Sequence, residues 1–214
     1  MTLYKVLNED GTVFHSGQGF WPLPSGKRPG KWLSVEGQIV PCHNGLHLCE
    51  PAHLVKWLGP AIFEVEVSGE IVNNGDKLVV SRARLVRKTN WTTTSAASFA
   101  LDCAERALSR EKKNGRTPDK RLYDALKVSR RFLKGEATQA EVYSARSAAH
   151  SAAYSARSAA YSARSAAHSA HSAAGSAADS AAYSAHSAAY SAARSAEVKW
   201  QTKRLMEYVT GKRS

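Results

Sequence analysis

Cys42, His47 and Cys49 lie within Pro41-Cys42-His43-Asn44-Gly45-Leu46-His47-Leu48-Cys49-Glu50. If Leu46–Cys49 is a strand, His47 and Cys49 share a face, because alternate residues do. The Asn44-Gly45 turn would then fold Cys42 back over them. Two thiolates and an imidazole suit tetrahedral zinc, although the spacing is not that of a C-x-x-C knuckle. Zinc on Cys42, His47 and Cys49 is therefore one expectation. The other is a turn holding two buried thiols and a hydrogen-bonded His47. Cys42 with His47 also has the makings of a nucleophile and its base, but no third residue is evident to orient the pair. Glu64 or Glu66 could serve as a base, yet glutamates alternating with Val65 and Val67 are what the wet face of a strand looks like.

A second set of side chains recurs with a helical period. Fifteen serines run from Ser144 to Ser195, 51 residues in 14 steps, about 3.64 per step against about 3.6 for an α-helix. Each serine is followed by Ala, and each but Ser176, which follows Gly175, is preceded by a larger residue, Asp179 before Ser180 among them. The Tyr, Arg and His residues among these form a ladder: Tyr143, Arg146, His150, Tyr154, Arg157, Tyr161, Arg164, His168, His171, Tyr183, His186, Tyr190 and Arg194. Either the small Ala/Ser side permits close helix packing with the ladder at its edge, or the ladder is itself a surface for an extended partner. In the second case rings would stack and guanidinium groups would meet phosphate or carboxylate.

The elements that must position these side chains read as α+β. Residues 1–88 form a small antiparallel-sheet domain. Thr2–Leu7 is a strand, followed by a turn at Asn8–Gly11 and a returning Thr12–His15. A Gly/Pro-rich loop over 16–30 carries Phe20 and Trp21, which read as a lid over the core ahead of exposed contacts. Short strands follow at Trp32–Val35 and Gln38–Val40, then a helical turn or two in Pro51–Leu58. Ile62–Val67 is a half-buried strand, and Leu78–Val80 with Ala83–Val86 completes the pattern. Residues 89–94 read as a polar linker. Two short helices over 95–136 follow, the second capped by Thr117 and stopped by Gly135. Thr138 with Glu141 makes a capping box for one very long Ser/Ala-rich helix over 137–210. Residues 139–209 would span about 105 Å if unbroken; the alternative is a helical hairpin turning near Gly175. A basic tail, 211–214, ends the chain.

The formal net charge of +12 over 214 residues favours acidic partners, nucleic acid first. Arg106, Arg110, Lys112, Lys113, Arg116, Lys120 and Arg121 are among the basic residues gathered on the two short helices. Solvated helix faces account for them better than contact with a phosphate backbone, and no base-reading signature is present. Met1–Asn8 is short and charged, no run of about 18 apolar residues exists, and three cysteines are few. The expectation is a cytoplasmic, reduced protein without a membrane span.

Two stretches resemble known families. Ala100-Leu101-Asp102-Cys103-Ala104-Glu105-Arg106-Ala107-Leu108, with Pro118-Asp119-Lys120-Arg121, Ala125, Arg130 and Gly135-Glu136, resemble helical bacterial and phage proteins labelled "putative immunity protein". Such proteins continue into Ala-rich tracts, where this chain has Ser in place of much of the Ala. Cys42-x-x-Gly45-x-His47-x-Cys49, Glu64-Val65-Glu66-Val67-x-Gly69-Glu70 and Lys77 are similar to an uncharacterised domain of phage and prophage proteins. The immunity label implies neutralising another protein.

Three readings follow. The first is a non-enzymatic phage or prophage accessory protein that self-associates or binds a partner protein through its Ser/Ala helix. The second is a sequence-independent nucleic-acid binder using the ladder and the basic helices. The third is a metal-binding or enzymatic N-terminal domain.

Overall fold

The computed structural model describes residues 2–15, 18–152 and 194–213. The chain divides into two compact units, Met1–Ala96 with Val198–Ser214, and Ala97–Glu197.

The first unit is built on five antiparallel strands, β1 (Leu3–Leu7), β2 (Leu33–Ser34), β3 (Leu46–Leu48), β4 (Ala61–Asn73) and β5 (Leu78–Lys88). Their order is β1-β4-β5-β2, with β3 also paired to β5. The β4–β5 hairpin is the spine. It bends where the register slips between Ser68 and Ile71, a bulge at which Glu70 N–H donates to Ser81 Oγ at 2.9 Å. Gly69 allows this turn: it sits at φ +85°, and a Cβ there would lie 2.4 Å from Ser81 Oγ. The bend lets the sheet curl back on itself. Tyr4 and Cys49 exchange backbone hydrogen bonds of 2.9 and 2.8 Å, so β3 on the far side of β5 meets β1. Removing an open edge in this way satisfies backbone groups that would otherwise need water. Leu3, Leu7, Trp21, Leu48, Phe63, Val80 and Leu85 fill the interior. Trp21 is buried, as a lid should be, while Phe20 is exposed.

Several sequence expectations shift here. Thr12–His15 gives isolated bridges, Leu7 to Val13 and Thr12 to Phe20, and Val40 bridges only to Asn44. Turn-rich flanks shorten these returns. The Pro51–Leu58 stretch holds a single 3-10 turn at Leu54–Lys56. Within residues 89–94, Trp91 is 1% exposed and its indole N–H donates to Gly59 O at 2.9 Å.

The second unit begins with α1 (Thr93–Lys113), which starts in the first, and α2 (Lys120–Leu133). Asp119 caps α2 by accepting from Arg121 N–H, so the cap lies two residues beyond Thr117. A carboxylate at a helix N-terminus is also the better electrostatic match. Residues 139–152 and 194–209 are helical as well. Thr138 and Glu141 form the expected reciprocal box: Thr138 N–H donates to Glu141 Oε2 at 2.7 Å and Glu141 N–H to Thr138 Oγ1 at 3.2 Å.

The single very long helix is not what forms. Glu141 pairs with Arg131 on α2, Arg130 with Asp102 on α1, and Glu197 with Arg106 one turn further along α1. An Arg–carboxylate pair holds its two Cα atoms within about 15 Å of each other. Three such links and one helical turn fall well short of the roughly 84 Å that an unbroken helix would put between residues 141 and 197. The small-residue period describes helix, and the ion pairs decide that it does not run on unbroken. The alternative turn near Gly175 lies outside the described residues.

Asp102 is 6% exposed and its Oδ1 accepts from Arg130 Nη2 at 2.8 Å; Glu105 takes the same nitrogen at 2.7 Å. Asp102→Ala is expected to cost about 2 kcal/mol, below the full buried-pair cost because Arg130 stays partly solvated and keeps Glu105. Urea unfolding followed by helical circular dichroism measures it, with Glu105→Ala as the weak control.

Candidate functional site

Asn44 shapes the loop between Val40 and β3. Its amide donates to the Glu36 and Gln38 carbonyls at 2.8 and 3.0 Å, and its backbone bridges Val40. Cys42 then takes a left-handed conformation, φ +68°, unusual for a residue with a side chain. Cys42 N–H donates to His47 Nε2 at 3.2 Å. The fold-back over Asn44-Gly45 is therefore present, but the imidazole receives the Cys42 backbone, not its thiol. His47 Nε2 is occupied as an acceptor. Burial, with Lys77 and Lys5 nearby, holds its pKa below the usual value, so a neutral ring with the proton on Nδ1 fits.

Cys49 is buried, and burial pushes its thiol up to about 11. A thiol held protonated is a poor nucleophile. Among the described residues, no three His, Cys, Asp or Glu side chains come together as a group that could hold a metal ion. Cys42, His47 and Cys49 instead share the wall of one cavity of about 400 Å3 in the first unit.

Two lysines and two tryptophans give that cavity its character; the sequence motifs point to Trp21 only as a lid and to Lys77 only within a resemblance, and to Lys5 and Trp57 not at all. Lys5 Nζ donates to His47 O at 3.0 Å and lies 5.1 Å from the Trp21 ring centre. Burial lowers its amine to about 8. Lys77 Nζ is 3.5 Å from Cys42 Sγ and 5.4 Å from the Trp57 ring centre. His15 Nε2 hydrogen-bonds Trp57 O at 2.9 Å and sets its ring edge-on to that indole. No carboxylate is among the described residues that line the space. A signal existed in the sequence. Leu3, Lys5 and Leu7 share one face of β1, and Leu3 and Leu7 are core residues, so the lysine occupies an inward phase.

Glu64 and Glu66 are cross-strand partners of Arg87 and Arg84, an ion-paired wet face. Of the ladder, Tyr143 is 77% exposed, and Arg146, His150 and Arg194 are exposed. The remaining ladder residues lie outside the described residues. In the described turns Ser144, Ser147 and Ser151 also face solvent, and Ser151 Oγ donates to Ser147 O at 3.1 Å. Ala145, Ala148 and Ala149 are half-buried, and Ala152 is buried. Over residues 144–152 the alanines are thus the packing side, and serine, able to bond its own backbone, tolerates the wet side; Ala196, after Ser195, is exposed.

Much of the basic set on the helices meets carboxylates within the chain. Arg106 and Arg110 share Glu197, Arg116 takes Glu111, Arg121 takes Asp119 and Arg131 takes Glu141. Among the described residues no helix is long and apolar enough to cross a membrane.

With this geometry in place, residues 89–208 match the family described as Imm-5 like putative immunity protein. Residues 1–97 match a domain of unknown function, DUF7666. No curated protein and no solved structure matches the chain.

Proposed function

The chain belongs to the Imm-5 like putative immunity protein family, and on that premise we propose that it is a non-enzymatic phage or prophage accessory protein that works by binding a protein chain, a second copy of itself or another. The contact is the ladder side of the segment that opens at residue 139. The family match over 89–208 carries this reading. Two features support it. Tyr143, Arg146 and His150 stand on the solvent side of their helix while its alanines pack inward, and aromatic and Arg side chains are the ones that anchor protein interfaces. The internal ion pairs of Arg106, Arg110, Arg116, Arg121, Arg130 and Arg131 leave less charge for a phosphate backbone, which weighs against nucleic acid as the partner.

Light scattering of the full-length chain, with absorbance at 260 and 280 nm, tests it. The expected result is a protein-only assembly heavier than the 23.2 kDa of one chain, weakened at least tenfold when Tyr143, Arg146 and His150 are all replaced by Ser. A monomer that carries nucleic acid, released between about 50 and 200 mM salt, would replace this reading with the nucleic-acid one.

A further inference from the structure

The cavity of the first unit is lined by two lysines and three histidines, bounded by two indoles, and faces no carboxylate among its described lining residues. Both lysines are placed, not loose. The Lys5 ammonium is held by the His47 carbonyl and the face of Trp21, and the Lys77 ammonium by the face of Trp57, as cations are held on aromatic rings. Both act on the His47 imidazole, so they serve one space. Val6, Val13, Leu46 and Leu48 supply apolar wall. The volume is within the range of small-molecule sites, roughly 300–1,000 Å3, and apolar walls with a few convergent polar groups are their usual lining.

An ammonium taken out of water normally requires a counter-charge. Lys5 has a carbonyl and a ring, and its amine is lowered to about 8 in consequence. An anion entering the cavity would supply the missing charge, and the indoles would take a flat apolar body.

We propose that this cavity binds a small planar anion, a ring bearing one carboxylate or one phosphate, with the anionic group on the Lys5 and Lys77 ammoniums and the ring against the indole walls.

The test uses the full-length chain and four probes: benzoate, phenyl phosphate, inorganic phosphate and neutral benzamide. Binding is read by tryptophan fluorescence and by calorimetry at pH 8.5 in two buffers of different ionisation heat. Benzoate or phenyl phosphate is expected to bind saturably, at least tenfold more tightly than benzamide, with Lys5→Met and Lys77→Gln each weakening it tenfold or more. Whichever of the two binds better identifies the anionic group; inorganic phosphate alone should bind more weakly than phenyl phosphate because it lacks the ring. Because an anion stabilises the charged amine, binding at pH 8.5 should draw a proton onto Lys5. The titratable groups facing that amine are Cys49, which stays a thiol at this pH, and His47, which is neutral; Lys77 is the other cation. Benzamide binding as well as the anions, no saturable binding by either ring anion, or equal binding in Lys77→Gln, whose side chain belongs to the β4–β5 turn and not to the core, would overturn the proposal.

Discussion

Lys5→Met is expected to stabilise the protein at pH 7 by about 2 kcal/mol, against the usual direction for a substitution in a core strand. The folded state lowers the Lys5 amine from 10.5 to about 8, chiefly by burial. A lysine with a depressed folded pKa binds fewer protons folded than unfolded between those two values. It therefore lowers stability at neutral pH, and the penalty is relieved as pH rises from about 8 toward 10.5. The full shift corresponds to about 3 kcal/mol at 1.36 per unit. Losing the bond to His47 O and the contact with Trp21 returns about 1 kcal/mol of that. Methionine fills nearly the same volume without a charge. Cys49 works in the opposite sense. Its thiol is raised from 9.0 to about 11, so folding keeps a proton that the unfolded chain loses, and stability falls through that interval. Wild-type stability should thus climb between about pH 8 and 9, level off while the two groups offset each other, and decline above about 10.5. In Lys5→Met the climb disappears and the decline begins near pH 9. Urea unfolding midpoints at pH 7, 9 and 10.5 measure both. A destabilised Lys5→Met at pH 7, with the climb retained, would mean that Lys5 does not carry this penalty. If the residue also receives an anion, the cost is the familiar one of a functional site that is not optimised for stability.

What could be read in advance followed the range of the physical signals. Thr138 and Glu141 announce their capping box because the two groups that bond are only three positions apart. Glu64 and Glu66 announce a wet strand face because alternation is local. Their arginine partners, 23 and 18 residues away, could be placed only once β5 was one strand. The Cys42 turn was legible from Asn44-Gly45, but its consequence was not: which atom of Cys42 meets His47 depends on a backbone angle that no residue type dictates. Lys5 lay in plain view at an inward phase of β1. A charged residue in an alternating strand is normally assigned to the outside, and the Trp21 ring and His47 carbonyl that accommodate this one are 16 and 42 positions away. The Ser/Ala period gave the right local conformation where residues are described, yet both residues are small. Only packing shows that over residues 144–152 alanine faces in and serine out. Nothing in a period of about 3.6 says where a helix must stop, and Glu197 finding Arg106 and Arg110 is a contact that no local pattern contains.

The most damaging single truncation should be one near the C-terminus, at Leu205. Val198–Ser214 is part of the same compact unit as Met1–Ala96, so the sheet that begins at Leu3 is completed by the last turns of the chain. Leu205 is 0% exposed, Tyr208 1% and Val209 2%. Asn90 N–H donates to Val209 O at 3.2 Å, beside Trp91, itself fully buried. The helix ends in a glycine-closed turn that fixes this docking. Lys212 N–H reaches back to Glu207 O at 2.9 Å and Gly211 N–H to Tyr208 O at 3.1 Å, the paired bonds of a Schellman cap. A Cβ on Gly211 would come within 2.2 Å of the Asn90 side-chain nitrogen. Leu205→Ala removes packed methyl groups where the surroundings are held from two ends of the chain and cannot collapse freely, so the loss should be about 3–4 kcal/mol. That is a large share of a typical domain stability of about 5–15 kcal/mol. The loss should register in the sheet as well as in the helix: amide exchange in β1 and β4 should quicken together with exchange at 205–209, and the Trp91 emission should redden at lower urea. Met206→Ala, one residue along and only half-buried, should cost under about 1.5 kcal/mol. A chain stopped after Glu197 should fail to give the native tryptophan signal even though every strand is present. If that shortened chain folds with wild-type sheet protection, or if Leu205→Ala changes stability by less than about 0.5 kcal/mol, the C-terminal turns are an accessory to the first unit and not part of its core.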